Sequence, residues 1–273
     1  MTANRVMEIV DRASRLALSR YGQERGELKA DGTWVTRTDG MVEELLRSEC
    51  ADLFDQDAHI FGEEGGWSGS DSARYVVIID PIEGTGPYRD EIPVWGVSVA
   101  IFRDGEPWLG VFSMPAAGQL FRAEINKTAA GEIRREAERI FNAVPKRVEP
   151  LLVDRPAIPT AATAYLGVSS DVHRWGLSRY PGKIRALGAS GYHVVLTAAG
   201  VLQASFLTRF NFYDVAAGAI ILWSAGGGFF YLSGEPVSVE DIITLQKPKD
   251  AVLACHPDYF EETRKYIQSQ AAD

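Results

Sequence analysis

Hydrophobic residues near the N-terminus recur at helical spacing. Over residues 3–20 they lie three and four positions apart, which predicts one apolar helix face formed by Val6, Ile9, Val10, Ala13, Leu16 and Ala17. A second amphipathic helix is predicted over 38–54, with its apolar side formed by Met41, Leu45, Leu46 and Leu53. Between the two, Lys29 to Thr36 predicts a β-hairpin that turns at Asp31-Gly32.

The middle of the chain has the pattern of a sheet. Tyr75 to Asp80 is a continuous apolar run that stops at a carboxylate, which is typical of a strand buried on both faces. Short turns join three further predicted strands, Val94–Phe102, Trp108–Ser113 and Gln119–Ala123, so we expect an antiparallel meander. The charged segment Glu132–Phe141 predicts a helix.

A proline-rich segment separates the two halves of the chain. Four prolines in Pro145–Pro159 indicate a boundary, so we predict halves of residues 1–145 and 146–273. Strands and helices then alternate: strands at 164–168, 203–207, 228–232 and 250–254, and helices at 171–179, from Ser190, from Asp214 and at the C-terminus. This mixed order predicts an α/β (α+β) fold of layered sheets and helices.

Composition excludes several classes of protein. The chain has 273 residues, of which 46% are hydrophobic, so it can bury a sizeable core, and its net charge of −9 argues against nucleic acid as a partner. The two cysteines, Cys50 and Cys255, lie far apart in apolar surroundings, which favours core thiols over disulfides or zinc ligands. The most apolar stretch, Val215–Trp223, is too short to span a bilayer, and no cleavable leader is evident. We therefore expect a cytoplasmic protein with no membrane partner.

Two acidic segments lie close together before and after the apolar strand. The first is the run 61–66, in which Glu63 and Glu64 are flanked by glycines; its alternative interpretation is a solvated loop. The second, Asp80-Pro81-Ile82-Glu83-Gly84-Thr85, begins at the strand end, where ligand sites often lie in α/β folds. Two carboxylates spaced around a rigid proline can converge on one cation, and the amides of the following turn can hold a phosphate oxygen.

A third acidic position comes much later. Asp214 precedes a strongly apolar helix, so it is a candidate N-cap residue. That role is compatible with a nearby phosphate, which helix N-termini favour.

In this order the three segments resemble the inositol monophosphatase family. The family pattern is Gly-Glu-Glu, a hydrophobic strand into Asp-Pro-Ile-Asp-Gly-Thr, and much later Trp-Asp-Val-Ala-Ala-Gly. This chain has Gly62-Glu63-Glu64, Asp80 to Thr85 and Tyr213 to Gly218, and the resemblance extends to Lys29–Asp39, Arg185–Ser190 and Ala225–Gly227. It runs from about residue 5 to 265 and is weakest at 124–160. It implies a five-layered αβαβα sandwich and a magnesium-dependent phosphatase acting on a small phosphate monoester.

The resemblance also implies roles for individual residues. Glu63, Asp80 and the Ile82 carbonyl would bind the first Mg²⁺, and Asp80, Glu83 and Asp214 the second. Asp39 and Thr85, with Glu63, would serve catalysis by activating water, and the expected contacts to substrate are Gly84, Thr85, Ser190, Arg209 and Asp214. Two or three Mg²⁺ ions are expected, with Mn²⁺ as a possible substitute, because cations neutralise the phosphate and lower the pKa of water. The partner would be a small phosphorylated metabolite, and we expect a homodimer.

Two positions depart from the family pattern. Glu83 stands where the family has aspartate; the longer side chain can still bind a metal, but loss of the second ion is an alternative. Leu207 stands where inositol- and histidinol-type members carry an acidic residue, with Arg209 and Asn211 nearby. If the strand is regular, residues 207 and 209 share a face, and Arg209 would favour a second anionic group on the substrate.

The substrate therefore stays open at this point. Histidinol phosphate, fructose bisphosphate and adenosine 3′,5′-bisphosphate are alternatives to an inositol phosphate. A catalytically impaired relative that binds a phosphorylated ligand is a further alternative. The four histidines lie outside the motifs and are interpreted as structural or surface residues.

Overall fold

A computed structural model describes residues 2–30, 32–128, 131–142, 145–153, 162–175, 177 and 179–267. The helices are α1 Thr2–Arg20, α2 Arg37–Leu53, α3 Thr85–Arg89, α4 Ser190–Ala198, α5 Phe212–Ser224, α6 Val239–Thr244 and α7 Phe260–Arg264. The strands are β1 Glu27–Leu28, β2 Trp34–Val35, β3 Ala58–Gly62, β4 Gly66–Ser68, β5 Tyr75–Glu83, β6 Gly96–Arg103, β7 Glu106–Met114, β8 Gln119–Lys127, β9 Ile133–Phe141, β10 Arg147–Pro150, β11 Tyr165–Val168, β12 Lys183–Arg185, β13 Ala204–Leu207, β14 Gly228–Tyr231 and β15 Val252–Cys255.

Eight strands form the larger sheet, in the order β10-β9-β8-β7-β6-β5-β3-β4. β3 and β5 are parallel and the other neighbours are antiparallel, as expected for strands joined by short turns. Successive residues of β5 point to opposite faces: Val77 and Ile79 pack with α1 and α2, whereas Ile78 packs with α4 and α5. Both faces are covered, which explains why this strand is apolar at every position.

The smaller sheet has five strands, in the order β12-β11-β13-β15-β14. Its inner face shares a hydrophobic core with α4, α5 and the larger sheet, and its outer face packs against α7 through Phe260. The layers are therefore α1/α2, the larger sheet, α4/α5, the smaller sheet and α7. The predicted five-layered αβαβα fold is confirmed. None of the helices in the described ranges is long and apolar enough to cross a membrane.

The helix predicted over Glu132–Phe141 is wrong, because this segment forms β9. Arginine and glutamate favour helices intrinsically, but β9 pairs with β8 along its whole length and with β10 on its other side. Arg122 of β8 lies directly opposite Glu138 of β9, and their side chains form an ion pair at 2.6 Å. Cross-strand pairing thus accommodates the charges that suggested a helix.

The helix predicted at 171–179 is also replaced, here by one short 3-10 turn over Val172–Arg174. β10 still belongs to the larger sheet, so the chain leaves that sheet after Pro150. Residues 154–161 of the proline-rich segment lie outside the described residues, as does Asp31 of the hairpin turn. The division into two halves stays a prediction.

Candidate active site

The second acidic motif lies at a bulge in the larger sheet. Asp80 pairs with Ser98 and Glu83 with Gly96, so two residues of β5 oppose a single residue of β6 between these pairs. Pro81, which has no N–H to donate, lies within this irregularity. The side chains of Asp80 and Glu83 are both buried at this end of the strand.

Two helices place Asp39 and Asp214 in the same way. Each is the third residue of its helix, and its Oδ2 accepts the backbone N–H of the residue before the helix, Thr36 or Asn211, at 2.8 Å. The expectation that Asp214 is itself the N-cap is therefore wrong, because Asn211 holds that position. Asp214 instead completes the reciprocal part of the cap, which fixes the direction of its carboxylate.

The hydroxyl of Thr85 links the helix α2 aspartate to the motif after β5. Its Oγ1 lies 3.2 Å from Asp39 Oδ1 and 3.0 Å from the carbonyl oxygen of Ile82. Asp39 Oδ2 is already held by Thr36, so Oδ1 is the oxygen available to Thr85. The structure thus brings together the two residues predicted to activate water.

Glu63 lies in the turn between β3 and β4, and a second glutamate, the buried Glu43, holds the backbone of this turn by hydrogen bonds. Glu43 of α2 accepts the amides of Glu64 and Gly65, both at 2.8 Å, and a Cβ at Gly62 would come within 2.4 Å of the Glu43 carboxyl carbon. The glycines around the glutamate pair therefore make room for Glu43. Sequence reasoning missed Glu43, whose only signal is its place on the inner face of a predicted helix.

The β1–β2 hairpin is tied to the same turn by Lys29. Its Nζ lies 2.9 Å from Glu63 Oε1 and also donates to Glu64. Burial lowers the pKa of Lys29, but the hydrogen bonds to the two glutamates outweigh this effect and raise it. Lys29 is therefore a cation that already contacts the acidic site.

The carboxyl groups of the site interact strongly with one another. Burial raises the pKa of Asp80 well above its ordinary value, and repulsion from Glu63, Asp214 and Glu83 raises it further. Burial likewise raises the pKa of Asp214, and it raises those of Asp39 to about 6 and of Glu63 to about 7. The four predicted metal carboxylates, far apart in sequence, lie close enough in space to repel one another.

The oxygen donors at the site match the metal that the motifs imply. Asp80 Oδ1 is buried and has no hydrogen-bond partner in the described part of the chain. An unpartnered buried oxygen next to several other carboxyl groups fits a hard cation such as Mg²⁺. As the side chains stand, no group of three or more His, Cys, Asp or Glu residues within the described ranges is arranged to hold a metal ion. Lys29 and backbone amides hold some of these carboxylates instead.

A polar cavity of about 260 Å³ adjoins the motif after β5. Gly84, with φ of +91°, passes so close to the cavity wall that a Cβ there would lie 3.0 Å from Ala189 Cβ. The residues lining the cavity come from the β11 end, the start of α4 and the β13 end: Ser169, Ser170, Asp171, Gly188, Ala189, Ser190, His193 and Arg209. Two predicted substrate contacts, Ser190 and Arg209, are among them.

Leu207 and Arg209 do not share a face. β13 ends at Leu207, which is fully buried in the core, and Arg209 follows in the irregular segment before α5. Arg209 nevertheless lines the cavity, where its Nε lies 3.3 Å from Asp171 Oδ2. Asp171 also accepts the hydroxyl of Thr208. Arg209 is thus paired with Asp171, a residue that belongs to no recognisable motif.

His193 is the one histidine that lines this cavity in the part of the chain that the structure describes. Its Nε2 accepts the backbone N–H of Leu187 at 3.2 Å, and burial lowers its pKa to about 4. The imidazole is therefore neutral near pH 7, in keeping with a structural role.

Comparison with known proteins places the chain in a class of phosphomonoesterases. The sequence profile of the inositol monophosphatase family matches residues 2–268, and the chain belongs to that family, whose members depend on magnesium.

Relatives of the chain carry several related activities. It is 27% identical to the fructose-1,6-bisphosphatase/inositol-1-monophosphatase of Aquifex aeolicus, over 90% of this chain and 88% of the relative. It is 29% identical to a histidinol-phosphatase of Streptomyces coelicolor, over 77% and 78% of the two chains. An IMPase structure from Thermotoga maritima superposes with a TM-score of 0.75 at 22% identity, covering 95% of this chain and 93% of that one. That likeness supports the fold alone.

The raised pKa values predict how stability depends on pH. Asp39 and Glu63 have folded-state pKa values of about 6 and 7, against about 4 in an unfolded chain. The folded state then binds more protons, so the free energy of unfolding falls as the pH rises from about 4 to about 7. In EDTA we expect a Tm at pH 8 that is lower than at pH 5 by on the order of 5 °C.

Magnesium should reduce this loss of stability at high pH. A cation binds the ionised carboxylates, so Mg²⁺ should raise the Tm more at pH 8 than at pH 5. Differential scanning calorimetry at both pH values, with and without Mg²⁺, measures both effects. A metal-free Tm that climbs from pH 5 to pH 8 would contradict the prediction.

Proposed function

We propose that the protein is a magnesium-dependent phosphatase that hydrolyses a small phosphate monoester. The observation that carries this proposal is the buried Asp80 with an unpartnered Oδ1, among three other carboxyl groups and beside the Thr85–Asp39 pair. Repulsion among these groups favours cation binding, and the adjoining polar cavity offers space for the alcohol part of an ester.

The proposed metal ligands follow the motifs. Glu63, Asp80 and the Ile82 carbonyl would hold the first ion, and Asp80 and Asp214, with Glu83 as the expected third ligand, would hold a second. Bound Mg²⁺ neutralises the phosphate charge and lowers the pKa of a nearby water. Glu63 must release Lys29 or share its carboxylate with it, since Lys29 Nζ already lies 2.9 Å from Glu63 Oε1.

Thr85 and Asp39 are proposed to position the attacking water. If the Thr85 hydroxyl donates its hydrogen bond to ionised Asp39, the Thr85 oxygen is left to accept a hydrogen bond from the attacking water. Asp39 stays in place because Thr36 donates both its N–H and its hydroxyl to Oδ2. The amides of Gly84 and Thr85 are proposed to bind the phosphate.

For the substrate, we propose a monophosphate of inositol or of another polyol. The Asp171–Arg209 pair offers both acceptors and donors at the cavity wall, which suits neutral hydroxyl groups. A substrate with a second anionic group is the alternative, and the relative named as a fructose-1,6-bisphosphatase keeps it relevant. The relative named as a histidinol-phosphatase adds an amino alcohol monophosphate as a further alternative. A homodimer and a cytoplasmic location stay predictions.

The activity itself is tested with Asp80. We expect the wild type to release phosphate from inositol monophosphate with Mg²⁺ and not with EDTA. Asp80→Asn should lower kcat by roughly a hundredfold or more, because the shared ligand loses its charge. Circular dichroism should show an unchanged fold, since the side chain stays polar and nearly isosteric. Full activity in this variant, or no magnesium-dependent activity in the wild type on any phosphate ester, would refute the function.

The role of Thr85 is tested by a pair of substitutions. Thr85→Val keeps the shape but removes the hydroxyl, and we expect kcat to fall by about a hundredfold with little change in KM. Thr85→Ser keeps the hydroxyl and should retain most of the activity. Equal losses in both variants would show that packing of the Thr85 methyl group, rather than its hydrogen bond to Asp39, matters.

The substrate alternative is tested with the cavity pair. Because Asp171 balances Arg209, Arg209→Gln should change the ratio of kcat/KM for fructose bisphosphate over inositol monophosphate by less than about threefold, far below a charge-assisted contact. Asp171→Asn frees the arginine and should raise that ratio about tenfold. Asp104→Asn, which unpairs the exposed Arg74, is the matched control. A tenfold fall in the ratio for Arg209→Gln would instead show that Arg209 reads a second anion.

A further inference from the structure

We propose that Glu83 is a positioning residue, whose carboxylate fastens the start of helix α4 to the end of β5 instead of completing a second cation site. The site would then hold one tightly bound divalent ion, and a second only weakly. The inference depends on the proposed function for the first ion alone.

The hydrogen bonds of Glu83 run to the beginning of α4. The backbone N–H of Tyr192 donates to Glu83 Oε2 at 3.2 Å. Burial raises the pKa of Glu83 to about 7, and the nearby N–H groups of Gly191, Tyr192 and Ser190 favour its charged form and oppose that rise. These are the first three residues of the helix. Their N–H groups have no partner within a helix, so a carboxylate in front of them satisfies the donors and interacts favourably with the helix dipole.

The local sequence of α4 cannot supply this cap. Ala189 occupies the N-cap position and makes no side-chain hydrogen bond to the helix, as expected for a residue without a polar group. The first bond within the helix runs from the N–H of His193 to the Ala189 carbonyl at 3.3 Å. The three donors before it therefore depend on Glu83, which lies more than a hundred residues earlier in the chain.

A glycine makes room for the docked carboxylate. An added Cβ at Gly191 would lie 3.3 Å from the Glu83 carboxyl carbon and 2.4 Å from the Asp214 carbonyl oxygen. The extra methylene of glutamate, compared with the aspartate of the family motif, lets the carboxylate reach the start of α4. Three features therefore agree with this contact: the long side chain of Glu83, the absence of a capping side chain at Ala189, and the space left by Gly191.

Docking in this way competes with metal binding. The Glu83 carboxylate accepts the N–H of Tyr192 and lies close to the N–H groups of Ser190 and Gly191, so it is already engaged by donors of α4. If Glu83 turned toward Asp80 and Asp214, it would leave the three helix amides without this partner. A second cation would then depend on Asp80 and Asp214 alone, which weakens its binding.

The docking also positions the cavity. Ser190, the first residue of α4, lines the cavity beside Asp171 and Arg209, and Tyr192 two residues later donates its N–H to Glu83. The length of residue 83 therefore sets the distance between the metal-binding end of β5 and the wall that contacts the alcohol part of the substrate.

Counting bound Mn²⁺ on the full chain tests the inference. We expect equilibrium dialysis to give one tight ion for the wild type. Glu83→Asp should bind a second Mn²⁺ at least tenfold more tightly than the wild type does, and its Tm in EDTA should be lower, because the shorter side chain no longer reaches α4. Adding Ala189→Ser to Glu83→Asp should restore part of the lost Tm by giving α4 its own cap. Glu44→Asp, at an exposed position of α2, is the matched control.

Each outcome decides the matter. The inference would be overturned by two Mn²⁺ ions of similar affinity in the wild type, or by a Glu83→Asp variant with unchanged Tm and ion count. Neither result would contradict the proposed phosphatase function. If Glu83→Asp does not fold, Glu83→Gln decides: one tight ion, as in the wild type, supports the inference, and a fall from two ions to one overturns it. A wild type that binds no Mn²⁺ and hydrolyses no ester would refute the proposed function as well.

Discussion

The mutual repulsion of buried carboxyl groups is the constraint on which the site depends. Asp80, Glu63, Glu83 and Asp214 lie in an interior where the charged form is disfavoured, and each raises the cost of ionising Asp80. The scaffold must therefore hold these side chains against a force that would separate them. Such electrostatic repulsion is typical of sites that bind cations, because a bound cation relieves the repulsion between the carboxylates.

Hydrogen bonds from backbone amides hold several of these carboxylates in place. Asp214 is fixed by the amide before α5, Asp39 by the amide before α2, and Glu83 by the first amides of α4. Three helices thus converge on the site with their N-terminal ends, where unsatisfied N–H groups favour negative charge. This arrangement orients Asp214 and Asp39 without neutralising them, so their charge stays available beside the proposed cation site, whereas the Glu83 carboxylate is engaged by α4.

The layered fold makes the convergence possible. α4 and α5 lie between the two sheets, and glycines allow close packing there. A Cβ at Gly110 of β7 would lie 2.7 Å from the carbonyl oxygen of Ala217 in α5, and one at Gly218 of α5 would lie 3.0 Å from Val194 of α4. The same compact packing brings the β11 and β13 ends to the cavity, where Asp171 neutralises Arg209. Elements from both sheets therefore build one site, with the proposed cation ligands at the end of β5 and the proposed substrate contacts at the ends of β11 and β13.

The sequence by itself determined the local features of this protein. The helical spacing of 3–20, the two-sided apolar run before Asp80 and the order of the acidic motifs are encoded along the chain. They were enough to predict a mixed α/β fold and the resemblance to the family, and that resemblance implied the five layers. Tertiary structure decided what depends on distant partners. β9 is a strand because β8 and β10 pair with it, Arg209 faces the cavity although Leu207 does not because β13 ends between them, and Asp171 has no motif of its own. The docking of Glu83 on α4 joins residues more than a hundred positions apart. Spacing along a chain reports which residues share a face of one element, whereas contacts between elements depend on how those elements pack.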